Sequence, residues 1–295
     1  MLHSVVPKTF EATASKRVSF IITTKNRADF LKETLEKHRS LFHPEDELII
    51  IDGFSTDSTA EVVRQYADMV DIFVSEPDCS GAHALNKGIL LARGKYVKQL
   101  PDDDVIYPDA MEQAIGVLEI HPEVDMMVCG GTRVIGDRSS NVYLPPGYHY
   151  GDSVMTVFDH GACGTGFIFR RSAFSLIGLL HPTNAVADQE IVLRSITRGA
   201  NVKFCRINLF YHRIFGHSVS VSWPNWDSDR VKLVRQYYPS RLAGWYLLRR
   251  RFGGRLLPWL VKHERLANAL RRVRRVFVTS PPRAPEEPIW DGGFS

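Results

Sequence analysis

The segment Lys-Tyr-Val-Lys-Gln-Leu-Pro-Asp-Asp-Asp-Val-Ile-Tyr-Pro, residues 95–108, places three consecutive carboxylates directly after a short apolar stretch. Adjacent carboxylates repel one another, so three of them at the end of a strand call for a partner of opposite charge. Mg2+ and Mn2+ prefer such oxygen ligands, and a bound cation would in turn hold a diphosphate. The alternative is a solvated acidic turn that caps the helix starting near Pro108.

Short apolar strands alternate with helices on both sides of this segment. The patterns predict strands at 18–22, 48–51, 70–74, 95–100, 124–135, 167–169 and 202–211, and helices at 28–41, 55–67, 81–92, 108–120, 172–176 and 188–198. Elements in this order indicate βαβ units, and therefore an α/β fold with a mostly parallel central sheet. The Gly-, Pro- and Tyr-rich residues 136–160 are predicted to form a loop.

Polar clusters follow three of the predicted strands. They comprise residues 23–27, residues 52–55 and the Asp triplet 102–104. Parallel sheets bind ligands outside the carboxyl ends of their strands, so we expect the three clusters to converge on one edge of the sheet.

The size and cysteine content of the chain limit its class. Its 295 residues suit one large α/β domain with appendages. The four cysteines are far apart and form no Cys-x-x-Cys pair, which argues against a zinc site or a disulfide framework and suits a reducing cytosol. No signal pattern or membrane-spanning apolar run is visible, so a cytoplasmic location is predicted.

Charge is divided unevenly along the chain. Residues 1–228 carry a net charge of −6, residues 229–285 carry +13, and the last ten residues carry −3. Residues 229–280 interleave arginine with large apolar side chains, as in an amphipathic helical tail on an anionic membrane surface such as the inner face of the plasma membrane. A protein partner or a homo-oligomer is the alternative, and no nucleic-acid motif is present. Residues 1–16 are predicted to be flexible and 281–295 disordered.

Five motifs in order resemble family 2 glycosyltransferases, which have the A-type nucleotide-sugar-binding fold. They are Val18–Arg27, Ile51–Thr59, Ala84–Tyr96, the Asp triplet, and Ala187–Ile191 with Arg194. The resemblance covers roughly residues 17–220 and implies a transferase domain at 17–228. Its nucleotide-binding half would span 17–107 and its acceptor-binding half 108–228.

The resemblance implies an inverting, metal-assisted transfer from a nucleoside-diphosphate sugar, preferably a UDP-sugar, to a hydroxyl of a glycan or lipid-linked acceptor. A bacterial cell-surface glycan pathway would be the setting, with Mn2+ or Mg2+ as cofactor. The implied donor-binding residues are Thr23, Thr24, Asn26, Arg27, Asp52, Ser55, His83, Asn86, Lys87, Asp102 and Asp103. The implied metal ligands are Asp102, Asp104 and His217, and the implied catalytic base is Asp188.

Each assignment has a structural alternative. Asp52 can simply shape the turn before Gly53, and Asp188 can favour a helix N-terminus through its charge. Three positions depart from the family pattern. Ala187 stands where a glutamate commonly precedes the base, His83 stands where an acidic residue is common, and Thr23 stands where a proline is common.

Two other functions stay open. The first is a degenerate transferase domain that serves as a membrane-associated scaffold. The second is a sugar nucleotidylyltransferase, which shares the sheet type but normally has a Gly-rich loop with Arg and Lys after its first strand. Here that loop reads Thr-Thr-Lys-Asn-Arg, residues 23–27.

Overall fold

The computed structural model describes residues 16–135, 138–142, 157, 162–184, 186–214 and 226–237. Its strands are β1 Val18–Thr24, β2 Glu47–Asp52, β3 Ile72–Ser75, β4 Tyr96–Gln99, β5 Val105–Ile106, β6 Met126–Ile135, β7 Arg138–Val142, β8 Phe167–Arg170 and β9 Val202–Ile214. Its helices are α1 Ala28–Lys37, α2 Thr59–Gln65, α3 Gly81–Leu91, α4 Pro108–Ile120, α5 Phe174–Ile177, α6 Ala187–Thr197 and α7 Trp226–Tyr237, with 3-10 turns at Gly164–Gly166 and Arg171–Ala173.

The strands form one sheet in the order β3-β2-β1-β4-β8-β6-β9-β5, with β7 paired to β6. Strands β1 to β4 are parallel to their neighbours in that group, and β6 is parallel to β9. Strand β8 is antiparallel to β4 and β6. The predicted α/β fold with a mostly parallel central sheet is confirmed. Strand order reverses between β1 and β4, so the loops after these two strands flank the crevice where such sheets bind ligands.

The central strands are buried on both faces, as their continuous apolar sequences require. Phe20, Ile22 and Ile50 belong to the core cluster that includes Leu31 and Leu35 of α1. Helix α3 packs on β1 and β2. The sheet is therefore a rigid base for the loops at its carboxyl edge.

Three elements differ from the sequence prediction. Residues 138–142, predicted as loop, form β7, which pairs with β6 through backbone groups. Strands are predicted from alternating or continuous apolar residues, and the polar sequence Arg-Ser-Ser-Asn-Val has no such pattern. The backbone hydrogen bonds that form β7 do not depend on that pattern. Strand β5, directly after the Asp triplet, was not predicted, and the helix predicted at 172–176 is a 3-10 turn followed by the short α5.

Helix α7 belongs to a second compact unit, separate from the one that holds the sheet. The rest of the predicted basic tail lies outside the described residues, so the domain boundaries and the membrane, partner and oligomer assignments stay predictions. In the described ranges, no helix has both the length and the apolar character needed to cross a bilayer.

Two helical glycines give a matched test of the packing between α3 and β1. A Cβ on Gly88 would lie 2.4 Å from Cγ2 of the buried Ile21, whereas a Cβ on Gly116 of α4 would meet nothing within 4 Å. We expect Gly88→Ala to lower the free energy of unfolding by about 1–3 kcal/mol through overpacking. Gly116→Ala should raise it by about 0.5–1 kcal/mol, because alanine favours the helix. Urea unfolding of both variants measures the difference, and equal effects would contradict the close approach.

Candidate active site

The loops after β1 and β4 are joined by side chains across the crevice. Thr24 donates its hydroxyl hydrogen to Asp102 Oδ2 at 2.9 Å. Arg27 reaches Asp102 Oδ1 at 3.2 Å and Asp103 Oδ2 at 2.7 Å, and its guanidinium lies 4.5 Å from the centre of the Phe30 ring. An arginine thus offsets the repulsion within the Asp triplet. Burial raises the pKa of Asp102 to about 6, and the positive charge of Arg27 opposes that rise.

The loop after β2 is tied to the loop after β1. The backbone N–H of Asn26 donates to Ser55 Oγ at 2.7 Å, and Asn26 Oδ1 accepts from the Thr56 N–H at 2.8 Å. Asp52 accepts from the Ser55 N–H at 3.0 Å and from Ser75 Oγ at 2.6 Å, and is only 1% exposed. Asp52 therefore shapes the turn, and a direct bond to a ligand would replace one of its present partners.

Asp104 lies deeper than the other two aspartates of the triplet. Its carboxylate accepts hydrogen bonds from Thr165 Oγ1 at 2.7 Å, from His212 Nδ1 at 3.0 Å and from the Arg213 N–H at 3.2 Å. Burial lowers the pKa of His212, but the bond to Asp104 and the negative charges of Asp104, Asp103 and Asp188 together outweigh burial and leave that pKa above its usual value. Asp104 thereby connects the end of β4, the Gly164–Gly166 turn and β9.

The triplet fits a divalent cation that is shared with a ligand. The Asp103 side chain keeps 16% of its surface exposed, against 5% and 1% for Asp102 and Asp104. Among the described residues, no group of three or more His, Cys, Asp or Glu is arranged to hold a metal by itself. Mg2+ is usually held by one or two carboxylates, with substrate phosphates and water completing its shell. The residues present suit that mode of binding.

Asp188 lies in the first turn of α6, and the same Gly164–Gly166 turn holds it. The Gly164 N–H donates to Asp188 Oδ2 at 2.8 Å. A Cβ on Gly164 would lie 2.9 Å from Gln99 Oε1 and 3.1 Å from Asp188 Oδ1, so a side chain at this position would displace the Gln99 amide and press on the Asp188 carboxylate. Burial raises the pKa of Asp188. One short turn therefore bonds to Asp188 through Gly164 and to Asp104 through Thr165.

Lys98 supports this turn from inside the sheet. Its side chain is fully buried, and its ammonium donates to the carbonyl oxygens of Thr165 at 2.5 Å and Gln99 at 2.7 Å. Burial lowers the pKa of Lys98 to about 8. No sequence pattern predicts this role for Lys98, because a lysine in a strand is ordinarily assigned to the solvent-facing side.

Lys98→Met should remove a pH dependence of stability. The folded protein releases the Lys98 proton near pH 8, whereas the unfolded chain keeps it to about pH 10.4. The unfolded state then binds more protons between these values, so wild-type stability rises with pH there, by up to about 3 kcal/mol. Urea unfolding from pH 7.5 to 10 should show this rise relative to the variant. A constant difference between the two proteins would contradict the lowered pKa of Lys98.

Three other residues predicted to bind the donor make contacts within the protein. The Asn86 side chain donates to the Leu180 carbonyl oxygen at 2.8 Å and accepts from the Leu180 N–H at 2.9 Å. Lys87 pairs with Glu76 at 2.9 Å, and His83 Nδ1 lies 3.4 Å from Cys79 Sγ. Their roles in donor binding stay predictions.

Thr23 and His217 are the remaining residues predicted to bind the donor or the metal. Thr23, at the end of β1, is half-buried. His217 lies outside the described residues, so its assignment as a metal ligand stays a prediction. Among the described residues, His212 on β9 is the histidine that bonds to Asp104 of the triplet.

Arg194, the last residue of the fifth motif, is a structural anchor. Its guanidinium donates to both carboxylate oxygens of Glu190 at 2.9 Å and to the carbonyl oxygens of Ile177 and Leu179. These bonds fix the segment that precedes α6, and so they also fix the start of the helix that carries Asp188.

Comparison with known families supports the resemblance. The family model described as "Glycosyl transferase family 2" matches residues 19–178, more than half of the chain. An uncharacterized glycosyltransferase of Rickettsia typhi is 30% identical over 132 residues, which cover 45% of this chain and 41% of that protein. A poly-beta-1,6-N-acetyl-D-glucosamine synthase of Staphylococcus epidermidis is 35% identical over 119 residues, 40% of this chain and 29% of that protein. The chain thus spans less than half the length of these relatives.

Two solved structures share the fold at low identity. TarS 1-349 of S. aureus in complex with UDP-GlcNAc superposes with a TM-score of 0.64 at 15% identity, covering 80% of this chain and 73% of that one. The mannosyltransferase PcManGT of Pyrobaculum calidifontis, solved with GDP-Man and Mn2+, gives a TM-score of 0.52 at 19% identity, covering 76% of this chain and 62% of that one. Both likenesses concern the fold alone.

Proposed function

We propose that this chain, which belongs to glycosyl transferase family 2, moves a sugar from a nucleoside diphosphate to a hydroxyl group of a glycan or lipid-linked acceptor. The observation that carries the proposal is the Gly164–Gly166 turn, which bonds to Asp188 on one side and to Asp104 on the other. A candidate base and a candidate diphosphate site are thereby held at a fixed separation. Such fixed geometry is what a displacement at a sugar carbon requires.

The donor diphosphate would bind at the triplet. Arg27 and the exposed side of Asp103 are the charged groups at the mouth of the crevice. When bound, Mn2+ or Mg2+ would neutralise the charge that develops on the leaving diphosphate. Asp103 would hold it, because its side chain keeps the largest exposed fraction of the three, and the ion would compete with Arg27 for Asp103 Oδ2. The oxygens of Asp104, by contrast, are buried and accept bonds from Thr165, His212 and Arg213. This assignment differs from the one that the family resemblance implied, in which Asp102, Asp104 and His217 are the metal ligands.

Asp188 would act as the general base. Asp188 is half-buried as a residue, and the Gly164 N–H orients its carboxylate. In the deprotonated form it removes the proton of the acceptor hydroxyl while that oxygen attacks the anomeric carbon and the bond to the diphosphate breaks. A single displacement of this kind inverts the anomeric configuration.

A bacterial cell-surface glycan is the proposed setting, and UDP the preferred nucleotide. The named relative that makes poly-beta-1,6-N-acetyl-D-glucosamine supports the setting. The UDP-GlcNAc complex supports the nucleotide, although the GDP-Man complex has the same fold. We also propose that the basic tail contacts a membrane surface, with contact to a protein partner or a second copy of the chain as the alternative.

A thermal-shift panel tests the proposal. The full chain is heated with UDP, GDP, dTDP and their sugars, each with and without Mn2+. A ligand that binds the native state raises its Tm, and we expect a Mn2+-dependent rise with UDP and UDP-sugars. A rise without any metal dependence would contradict the role of the triplet. No rise with any nucleotide would contradict the transferase proposal and favour the scaffold function.

A further inference from the structure

Phe54, in the loop after β2, has two unusual properties. It is 60% exposed, and its backbone φ is +66°. In the described part of the chain, Asn26 is the other residue besides glycine with a positive φ. Asparagine tolerates this region, whereas for a bulky aromatic residue it is an outlier that costs about 1 kcal/mol or more.

The surrounding loops enforce this backbone conformation. The Gly53 N–H donates to the Thr24 carbonyl oxygen at 2.9 Å, and Asp52 holds the Ser55 N–H just beyond Phe54. On the other side, the Asp78 carboxylate lies against Gly53, where a Cβ would be 2.4 Å from Asp78 Oδ2. The loop would keep its course with any residue at position 54, and glycine would adopt it without strain.

Neither the backbone nor the core explains a phenylalanine at this position. Its strained φ favours glycine, and an exposed ring adds little to the burial that stabilises the fold. Strained residues of this kind cluster at ligand-binding sites, and position 54 lies on the carboxyl edge of the sheet, where the predicted site is. The aromatic ring is therefore best explained by contact with a ligand.

The position relative to the triplet identifies the part of the ligand. Strand β2 is two strands away from β4, a distance of about 10 Å. A nucleotide whose diphosphate lies beside Asp103 and Arg27 and whose ribose passes Thr24 would bring its base to the loop after β2. Asp52 is turned inward there, onto Ser55 and Ser75. Phe54 is the large apolar group left exposed at that point.

Resting on the proposed function, we propose that Phe54 is a binding residue for the donor and stacks on its nucleobase. Aromatic stacking tolerates different bases, because every base has a π-face. Phe54 would therefore contribute to the binding of uracil and guanine nucleotides alike. Discrimination between bases would come from hydrogen-bonding groups elsewhere on the same rim.

Calorimetric titration of the full chain with UDP, GDP and inorganic pyrophosphate, all with Mn2+, tests this proposal. Phe54→Gly should raise the Kd of both nucleotides about fivefold or more, the lower end of base–aromatic stacking. The Kd of pyrophosphate, which has no base, should not change. The Tm of Phe54→Gly should equal or exceed that of the wild type, because glycine relieves the strained φ. Phe54→Trp should keep wild-type affinity.

Ile120→Ala is the matched control. Ile120 is 72% exposed at the end of α4, and its truncation should change neither affinity nor Tm appreciably. If the wild type binds UDP and Phe54→Gly binds it equally well, the stacking proposal is overturned and the proposed function stands. An equal loss for UDP and pyrophosphate also overturns it, because the effect would then not involve the base. No nucleotide binding by the wild type would count against both proposals.

Discussion

Asp188→Asn is expected to lower kcat for sugar transfer by about 10²–10⁴-fold, the usual contribution of a general base, with little change in the Kd of the nucleotide sugar. The amide has the shape of the carboxylate, and its oxygen can still accept the bond from the Gly164 N–H. It has no free carboxylate to receive the proton of the acceptor hydroxyl. Steady-state kinetics together with donor titration separates the two effects.

The pH profile gives an independent measure of the same group. Burial raises the pKa of Asp188 above the ordinary value of an aspartate. Because the base acts in its deprotonated form, wild-type kcat should fall as pH falls through this raised pKa. The residual activity of Asp188→Asn should lack that decrease.

Asp109→Asn provides the control for the substitution itself. Asp109 is an exposed aspartate in the first turn of α4. Its substitution makes the same chemical change at a comparable position in a helix. It should keep wild-type kinetics. If Asp188→Asn also kept its activity within a factor of two, the assignment of the base would be wrong.

The second large effect concerns the division of roles within the Asp triplet. Asp103→Asn should weaken Mn2+-dependent binding of UDP by more than about tenfold, because it removes the most exposed carboxylate at the diphosphate site. Its Tm should stay close to that of the wild type. Asp104→Ala should instead lower the free energy of unfolding by about 3 kcal/mol, since it leaves His212 and Thr165 without their buried acceptor.

Asp104→Asn distinguishes this assignment from the sequence-based one. It preserves the size of the side chain and one acceptor oxygen, so the fold should tolerate it better than alanine. UDP titrations with Mn2+ and with EDTA compare it with Asp103→Asn. If Asp104→Asn lost the metal-dependent part of binding while Asp103→Asn retained it, Asp104 would be the metal ligand, as the sequence motif suggested.

The sequence by itself determined the fold class and the edge of the sheet on which the candidate site residues meet. Runs such as Val18–Ile22 and Leu48–Ile51 are buried on both faces, and their composition is that of parallel strands. Because chain direction is shared by parallel strands, polar residues that follow each strand must meet at one edge. Thr24 and Arg27 do so, since both lie within hydrogen-bonding distance of Asp102.

Tertiary structure alone decided which side chains are paired there. Thr165 and His212 lie 61 and 108 positions from Asp104 in the sequence, yet both bond to its carboxylate. Lys98 is buried and donates to the Thr165 carbonyl oxygen. The Asn86 side chain is hydrogen-bonded to the backbone of Leu180. A local pattern records whether a residue suits a strand or a helix, because that preference is set by near neighbours. Partners across the sheet, and the strained φ of Phe54, are set by packing between distant segments, which leaves no periodic trace in the sequence.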